Sequence, residues 1–348
     1  MFKEAIKKSE ILYFLARVLQ NGNSKEFRKW VTDIIDSPSI IRLECLGDKN
    51  PDKVYYVIDI NDEGNHSGFF SLLDGTIKRL GLAERLGAVP YIRWTNTPYG
   101  YLNHENTYTD YFLQTCNTEF KEILQSRNVI FSRPQDGFQR DDSQVYSEKA
   151  GFLDSMGALY KKYIQIQPEL INRINEDRGL LIGFKFEHTI GVHVRGTDYR
   201  QALKGHPKAV MYEEFVSEIE KLPENYCDWP IFLASDDRNA ISFFVDRFSD
   251  RVICYQDVFR VESDFGVHYS TDDREEHAFN LGYEVLRDAD TLSRCGVLIA
   301  GISFVSFTAR EMKASRNETY SELRIIDHGI NNVGTTSSKF NACFNQKL

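Results

Sequence analysis

The chain of 348 residues contains no pair of cysteines spaced as Cys-x-x-Cys. Structural zinc sites and small disulfide-linked domains both depend on closely spaced cysteines, so neither is expected here. We interpret the cysteines as reduced thiols in a cytoplasmic protein. They are scattered along the whole sequence: Cys45, Cys116, Cys227, Cys254, Cys295 and Cys343.

The sequence also has no run of apolar residues long enough to span a bilayer, and its first residues lack the pattern of a signal peptide. Its net charge of -9 argues against a nucleic-acid partner, because such proteins usually present a basic face. Residues 1–20 mix apolar and basic side chains. We interpret them as a helix packed on the protein, with peripheral attachment to the inner face of a membrane as the alternative.

Several well-known catalytic motifs are missing from the chain. It has neither the G-x-x-x-x-G-K-[ST] phosphate loop nor the G-x-G-x-x-G dinucleotide fingerprint, which disfavours P-loop ATP hydrolysis and NAD-dependent hydride transfer. A G-x-S-x-G nucleophile elbow and an H-E-x-x-H zinc site are absent as well. Asp288 and Asp290 form a D-x-D, the pattern of metal-dependent sugar transferases. They lie in a predicted helix, where residues two apart do not share a face, so this class is disfavoured as well.

Strand and helix patterns alternate along the chain. In the first half, we predict strands over 54–60 and 89–94 around a helix over 69–86, and another helix over 149–176. The second half has predicted strands at 189–194, 230–234, 251–254, 296–300 and 323–326. Its predicted helices cover 210–222, 238–248, 275–293 and 304–312. This alternation indicates an α/β protein with two Rossmann-like domains, residues 1–178 and 179–348, whose mostly parallel sheets face a cleft.

The most informative segment is the decapeptide from Ile190 to Tyr199, I-G-V-H-V-R-G-T-D-Y. It reads as a buried strand that opens into a polar loop at Arg195. Ligands of open α/β sheets bind at the carboxyl ends of strands, and the arginine fork can donate two parallel hydrogen bonds to phosphate oxygens. The alternative is an ordinary strand end with a solvated ion pair, which would contribute little.

Two further strand ends carry polar residues. Asp236 and Asp237 follow one predicted strand, and Ser303 opens the helix after another. A helix N-terminus favours phosphate, although Ser303 could be a plain N-cap and the two aspartates could cap the next helix. If these ends converge, the carboxylates would meet a ribose or a base, while arginine and backbone amides would hold a diphosphate. The combination predicts a nucleotide-sugar site.

Several segments of the sequence resemble the motifs of a known group of enzymes. The segment Gly191–Asp198, G-V-H-V-R-G-T-D, is similar to the G-V-H-V-R-R-T-D motif of core α1,6-fucosyltransferases, and more loosely to nodulation fucosyltransferases and protein O-fucosyltransferases. Other segments follow in the family's order. They are His206-Pro207 with Tyr212, Phe232–Asp237, and Asp288–Ser303, while Gly64–Ser71 stands where the family has a glycine-rich donor loop.

The resemblance implies a GT-B-like fold, a GDP-sugar donor, and inversion at the anomeric carbon without a metal or other cofactor. It implies that Arg195 grips the diphosphate and that Asp236 and Asp237 meet the guanosine. The implied donor-binding set is His193, Gly196, Thr197, Asp236, Asp237, Asp288 and Ser303. The implied acceptor-binding residues are His206 and Tyr199.

The chain departs from the family's pattern at three places. Gly196 replaces its second arginine, Tyr199 replaces its lysine, and the glutamate proposed as its base falls near Leu203. A general base must reach the attacking hydroxyl. The candidates here are Asp198 first, and Glu63 or Asp62 from the facing domain as alternatives.

These observations predict an inverting, metal-independent glycosyltransferase that moves fucose from GDP-fucose to a glycan hydroxyl. The expected partners are therefore a nucleotide-sugar donor and a glycan acceptor. Two alternatives stay open. One is a transferase that uses another GDP- or UDP-sugar in surface polysaccharide synthesis. The other is a non-catalytic protein that binds a glycan or a nucleotide-sugar, which the missing glutamate favours.

Overall fold

The computed structural model describes residues 41–134, 136, 152–181, 185–262 and 266–335, with a few isolated positions before residue 41. The predicted amphipathic segment, apart from residue 20, lies outside the described residues. No helix in the described ranges is both long and apolar enough to cross a bilayer.

A three-stranded parallel sheet forms the first half of the molecule, in the order β2-β1-β3. Its strands are β1 (Tyr55–Asn61), β2 (Val89–Thr95) and β3 (Val129–Phe131). Helix α1 (Phe69–Arg85) connects β1 to β2 and buries most of its length. The short helices α2 (Tyr108–Tyr111) and α3 (Phe120–Ile123) lie between β2 and β3. The sequence analysis missed β3, because three residues are too few to show a period.

The second half contains a five-stranded sheet in the order β6-β5-β4-β7-β8, and every pairing in it is parallel. The central strand β4 is buried along its whole length, as the apolar run predicted. Parallel pairing brings the carboxyl ends of β4, β5 and β7 to one edge of the sheet. The strands are β4 (Ile190–Val194), β5 (Ile231–Ser235), β6 (Val252–Ile253), β7 (Val297–Gly301) and β8 (Glu322–Ile326).

Helices connect these strands and cover the sheet. Each begins and ends within a few residues of its predicted bounds, because apolar residues at helical spacing marked each buried face. They are α6 (Tyr212–Glu220), α7 (Arg238–Phe248), α8 (His277–Arg294) and α9 (Phe304–Ser315).

The prediction of one continuous helix over 149–176 is wrong. Two helices occupy this region, α4 (Phe152–Tyr163) and α5 (Pro168–Gly179). Pro168 explains the break, since proline lacks the amide hydrogen that a helix interior needs and disfavours helical backbone in the residue before it. Proline is well suited to the first turn of a helix, which is where α5 places it.

The predicted fold class is confirmed as α/β with two parallel sheets. Helices α4 and α9 pack closely together, and Gly157 of α4 lies against Ala314 of α9, where an added Cβ would come within 2.9 Å of the alanine Cβ. One hydrophobic cluster includes residues of both halves, from Tyr56 to Met312. The domain boundary at residue 178 therefore stays a prediction.

Candidate active site between the two halves

A cavity of about 250 Å³ lies between residues of the first half and the carboxyl edge of the second sheet. Residues 65–71 and Tyr99 form its wall in the first half. A smaller pocket of about 50 Å³ shares Arg195 with it and runs beneath the strand ends. We refer to these two spaces as the interlobe cavity and the side pocket. From the second half the cavity is lined by Arg195, Tyr199, Leu203, His206, Val267, His268, Tyr269, Leu281, Val285, Ser303, Phe304 and Val305.

Arg195 follows β4 directly and lies in the wall of both spaces. Its Nη1 is 3.2 Å from Oδ2 of Asp236, and its side chain is 18% exposed. The guanidinium carbon lies 5.4 Å from the centre of the Tyr199 ring, within the range of a cation–π contact. The cation is therefore held at the cavity by a carboxylate and an aromatic ring.

Asp236 organises the loop that carries Arg195. Its carboxylate accepts a hydrogen bond from the Gly196 amide at 3.1 Å and another from the Thr197 hydroxyl at 2.8 Å. Thr197 has a positive φ of 35° and begins a 3-10 helix over Thr197–Gln201. The sequence predicted that Asp236 meets guanosine. In the structure it lines the side pocket while holding this loop in place.

Asp237 lies on the other side of the strand end and is completely buried. It caps α7 by accepting from the Asn239 amide at 3.0 Å, and it also accepts from Arg200 and from the Tyr212 hydroxyl. The structure does not bring Asp237 to the cavity or the side pocket. The capping role that the sequence left open for this residue is the one observed.

Gly196 is required where the family has its second arginine. A Cβ built at this position would lie 2.5 Å from Cβ and Oδ2 of Asp237, closer than real contacts allow. The neighbouring cation is instead Arg200, whose guanidinium pairs with Asp237 rather than lining the cavity. The close packing of Asp237 against residue 196 therefore accounts for glycine at this position.

We expect Gly196→Ala to lower the free energy of unfolding by about 1–3 kcal/mol, as forced overpacking usually does. Chemical denaturation by urea measures the change. Gly179→Ala is the matched control, because a Cβ there meets nothing within 4 Å. Equal stability of the two variants would contradict the predicted clash.

His193, near the end of β4, and Ser303, which precedes α9, lie in contact beside the Arg195 loop. His193 is buried, and its Nδ1 lies 3.3 Å from the Ser303 hydroxyl. Burial, together with the positive charge of Arg195, lowers the pKa of His193 to about 3. The imidazole is therefore neutral at physiological pH. Ser303 also caps α9, where its hydroxyl accepts from the Ser306 amide at 3.3 Å.

Two helix N-termini point to the interlobe cavity. Helix α9 begins there at Phe304, and helix α1 begins on the opposite wall at Phe69. The residue before α1, Gly68, has no side chain to cap it, and the Phe69 amide donates to the Tyr99 hydroxyl at 2.8 Å. The free amides and the dipole at a helix N-terminus attract anions. The cavity thus has anion-binding groups on two sides, in addition to Arg195.

Asp288 lies in the side pocket on α8 and is only 6% exposed. Burial raises the pKa of this carboxyl to about 7, although Arg287 and Arg260 oppose the rise. Within the described residues, no donor forms a hydrogen bond to it. The nearby walls are apolar, formed by Val258, Phe259 and Val285. A flat ligand entering this pocket would meet an unpartnered acceptor.

None of the carboxylates predicted as a base lines the interlobe cavity among the side chains described. Asp62 is 3% exposed and accepts from the amide and hydroxyl of Ser67 at 2.8 and 2.6 Å. Glu63 is exposed to solvent outside the cavity wall. The side chain of Asp198 lies outside the described residues, so its role stays a prediction.

The predicted acceptor residues do lie in the cavity. The rings of Tyr199 and His206 are 6.5 Å apart and nearly perpendicular. The sequence analysis missed a second aromatic group, formed by His66, His268 and Tyr269. His66 carried a signal, since it lies in the polar loop after β1. Tyr269 carried no such signal, because the apolar residues around it do not repeat at the spacing of a helix or a strand. Over the described ranges, no cluster of His, Cys, Asp and Glu suits a metal ion.

Comparisons with known proteins add structural relatives only. No protein-family model and no curated protein matches the sequence. The structure is similar to NodZ alpha-1,6-fucosyltransferase soaked with GDP-fucose, with 17% identity, coverage of 75% of this chain and 92% of that chain, and a TM-score of 0.45. It is also similar to fucosyltransferase NodZ from Bradyrhizobium (18% identity, coverage of 81% and 99%, TM-score 0.44). A third is POFUT1 in complex with GDP (9% identity, 80% and 99%, TM-score 0.41). The first two of these proteins are fucosyltransferases, and the third was solved in complex with GDP.

Proposed function

We propose that this protein is an inverting, metal-independent glycosyltransferase that moves fucose from GDP-fucose to a glycan hydroxyl. One observation carries the proposal. The Arg195 guanidinium and the N-terminus of α9 lie together in the wall of one cavity between the two halves. The motifs around Arg195, which resemble those of fucosyltransferases, support the choice of sugar.

The diphosphate fits the groups around Arg195. During transfer, the bond between the sugar and the diphosphate breaks, and negative charge grows on the leaving oxygen. A fixed guanidinium and the N-terminus of α9 stabilise that charge without having to reorganise. These groups supply positive potential from the protein itself, so the proposed reaction does not require a metal ion.

The side pocket supports guanine as the base. A guanine edge presents two neighbouring N–H donors, and the Asp288 carboxylate can accept both. A uracil edge presents only one such donor, so this acceptor favours GDP-sugars over UDP-sugars. Val258 and Phe259 supply the apolar surface that the faces of a base need. Asp236 lines the same pocket beside Arg195, where its carboxylate can accept from a ribose hydroxyl.

Nucleotide binding is the first test. We expect GDP and GDP-fucose to raise the melting temperature and UDP to leave it unchanged, because a ligand that binds only the native state stabilises it. At a hundred times Kd the stabilisation is about 2.7 kcal/mol. GDP release from GDP-fucose and GDP-mannose then compares the sugars, with and without EDTA. Failure of GDP and GDP-fucose to bind would contradict the proposal.

A protein that binds a GDP-sugar without transferring it is the second candidate. The absence of a carboxylate from the described cavity wall favours it. Such a protein would bind GDP-fucose but release no GDP with any acceptor. The same GDP-release assay separates the two candidates.

A further inference from the structure

The wall that faces Arg195 across the interlobe cavity limits which group can accept a proton. In an inverting reaction, the acceptor hydroxyl attacks from the side opposite the leaving diphosphate. With the diphosphate on Arg195 and α9, that side is the wall of the first half. The described residues of this wall are Asn65, His66, Ser67, Gly68, Phe69, Phe70, Ser71 and Tyr99. Only His66 among them has a side chain of the kind that serves as a general base.

The backbone and a ring contact orient His66. Its φ of 50° lies in the left-handed region, which few residues other than glycine adopt. Such strained positions cluster at functional sites. The ring lies 5.1 Å from the ring of Tyr269, at an angle of 39°. Tyr269 belongs to the second half, so this contact bridges the cavity wall.

A buried carboxylate lies close to the imidazole. Asp62, four residues earlier, is fixed by its two hydrogen bonds from Ser67. Burial raises the pKa of Asp62, while these bonds and the nearby charge of His66 oppose the rise. An anion in this position stabilises the imidazolium that forms when a histidine takes up a proton. The sequence analysis offered Asp62 as a base, whereas in the structure both of its carboxylate oxygens accept from Ser67 and it does not line the cavity.

We propose that His66 is the general base of the transfer. This inference depends on the proposed function. The acceptor oxygen forms a bond to the anomeric carbon, and its proton passes to a ring nitrogen of His66. The bond from that carbon to the β-phosphate oxygen breaks, and its electron pair leaves with GDP. The imidazolium then returns the proton to water.

The other histidines of the cavity are placed less well for this role. His206 and His268 both belong to the second half, on the side of Arg195. His268 is 7% exposed, and its ring centre lies 4.3 Å from that of Tyr269, with the two rings tilted by 41°. The charged and titratable groups nearest to His66 are thus Tyr269, whose ring it contacts, Asp62 in the same loop, and Arg195, His206 and His268 in the cavity wall of the second half.

Two variants test the proposal. His66→Gln keeps the size and polarity of the side chain, and His66→Gly suits the positive φ. GDP release from GDP-fucose is measured with water as nucleophile, and with methyl glycosides of glucose, galactose and N-acetylglucosamine. We expect turnover to fall on the order of 100-fold in both variants, within the range for general-base catalysis, while GDP affinity changes less than about threefold. The acidic limb of the pH–rate profile should disappear, and added imidazole should partly restore His66→Gly.

The matched control is His328→Gln, which removes an exposed imidazole paired with Glu214 and should leave turnover unchanged. Turnover of His66→Gln close to wild type, or an acidic limb that persists, would overturn the role of His66. A parallel loss of GDP affinity would overturn it as well, because it would indicate donor binding. Failure of the wild-type protein to bind GDP would instead reject the proposed function, so the two failures are distinguishable.

Discussion

Replacing Arg195 with alanine should lower GDP release from GDP-fucose by a factor on the order of 10² to 10³, the usual effect of removing one preorganised donor from a developing negative charge. The guanidinium lines the interlobe cavity and is held there by Asp236 and Tyr199. Its effect should be greater on turnover than on GDP affinity, since the leaving diphosphate gains charge only as the bond breaks. Steady-state kinetics and calorimetric titration with GDP separate the two quantities.

Stability provides the internal check on this variant. Asp236 keeps its hydrogen bonds from Gly196 and Thr197 when the guanidinium is removed, so the loop and the melting temperature should change little. Arg195→Lys retains the charge but loses the planar fork, and its turnover should lie between wild type and Arg195→Ala. Arg238→Ala is the control. The Arg238 side chain is 63% exposed, and its ion pair with Glu262 is loose, with 3.9 Å between Nε and Oε1. Turnover of Arg195→Ala within a few-fold of this control would refute the phosphate role.

The sequence was sufficient to predict the parallel second sheet, for a physical reason. Strands buried on both faces, such as β4 and β5, appear as short apolar runs, and helices between them keep their apolar spacing. The elements that were missed had weak local signals. Strand β3 has only three residues, and the break before α5 depended on one proline, Pro168, within a longer helical pattern.

The site was less predictable because its contacts are long-range. Sequence placed Asp236 and Asp237 together at a strand end, but only the packing of α7 and Tyr212 shows that Asp237 is buried. Likewise, His66 and Tyr269 are distant in sequence, and their rings are in contact because the two halves pack against each other around the cavity. Local patterns identify polar strand ends, whereas tertiary packing decides which polar groups face the ligand.

Asp288→Asn should have opposite effects on stability and on nucleotide binding. The folded protein raises the pKa of Asp288 to about 7 from an ordinary value of 3.8, so the native state binds more protons than the unfolded state between these values. Stability must therefore fall as the pH rises from about 4 to about 7. A neutral asparagine removes this loss. Above pH 7 the free energy of unfolding of the variant should exceed that of the wild type by up to ~4 kcal/mol, which corresponds to the difference between the two pKa values of Asp288. This gain in stability should vanish near pH 4.

The same substitution should weaken GDP binding on the order of 10- to 100-fold, because asparagine offers one acceptor oxygen where the carboxylate offers two, and a hydrogen bond to a charged group contributes about 1.5–3 kcal/mol. Inosine diphosphate lacks the 2-amino group of guanine and serves as the probe. The wild type should prefer GDP to inosine diphosphate, and Asp288→Asn should lose that preference in calorimetric titrations at pH 8. Asp246→Asn, on the exposed face of α7, is the control for both measurements. A stabilised variant that retains the GDP preference would show that Asp288 is only a buried acid, and the guanine would then have to bind elsewhere.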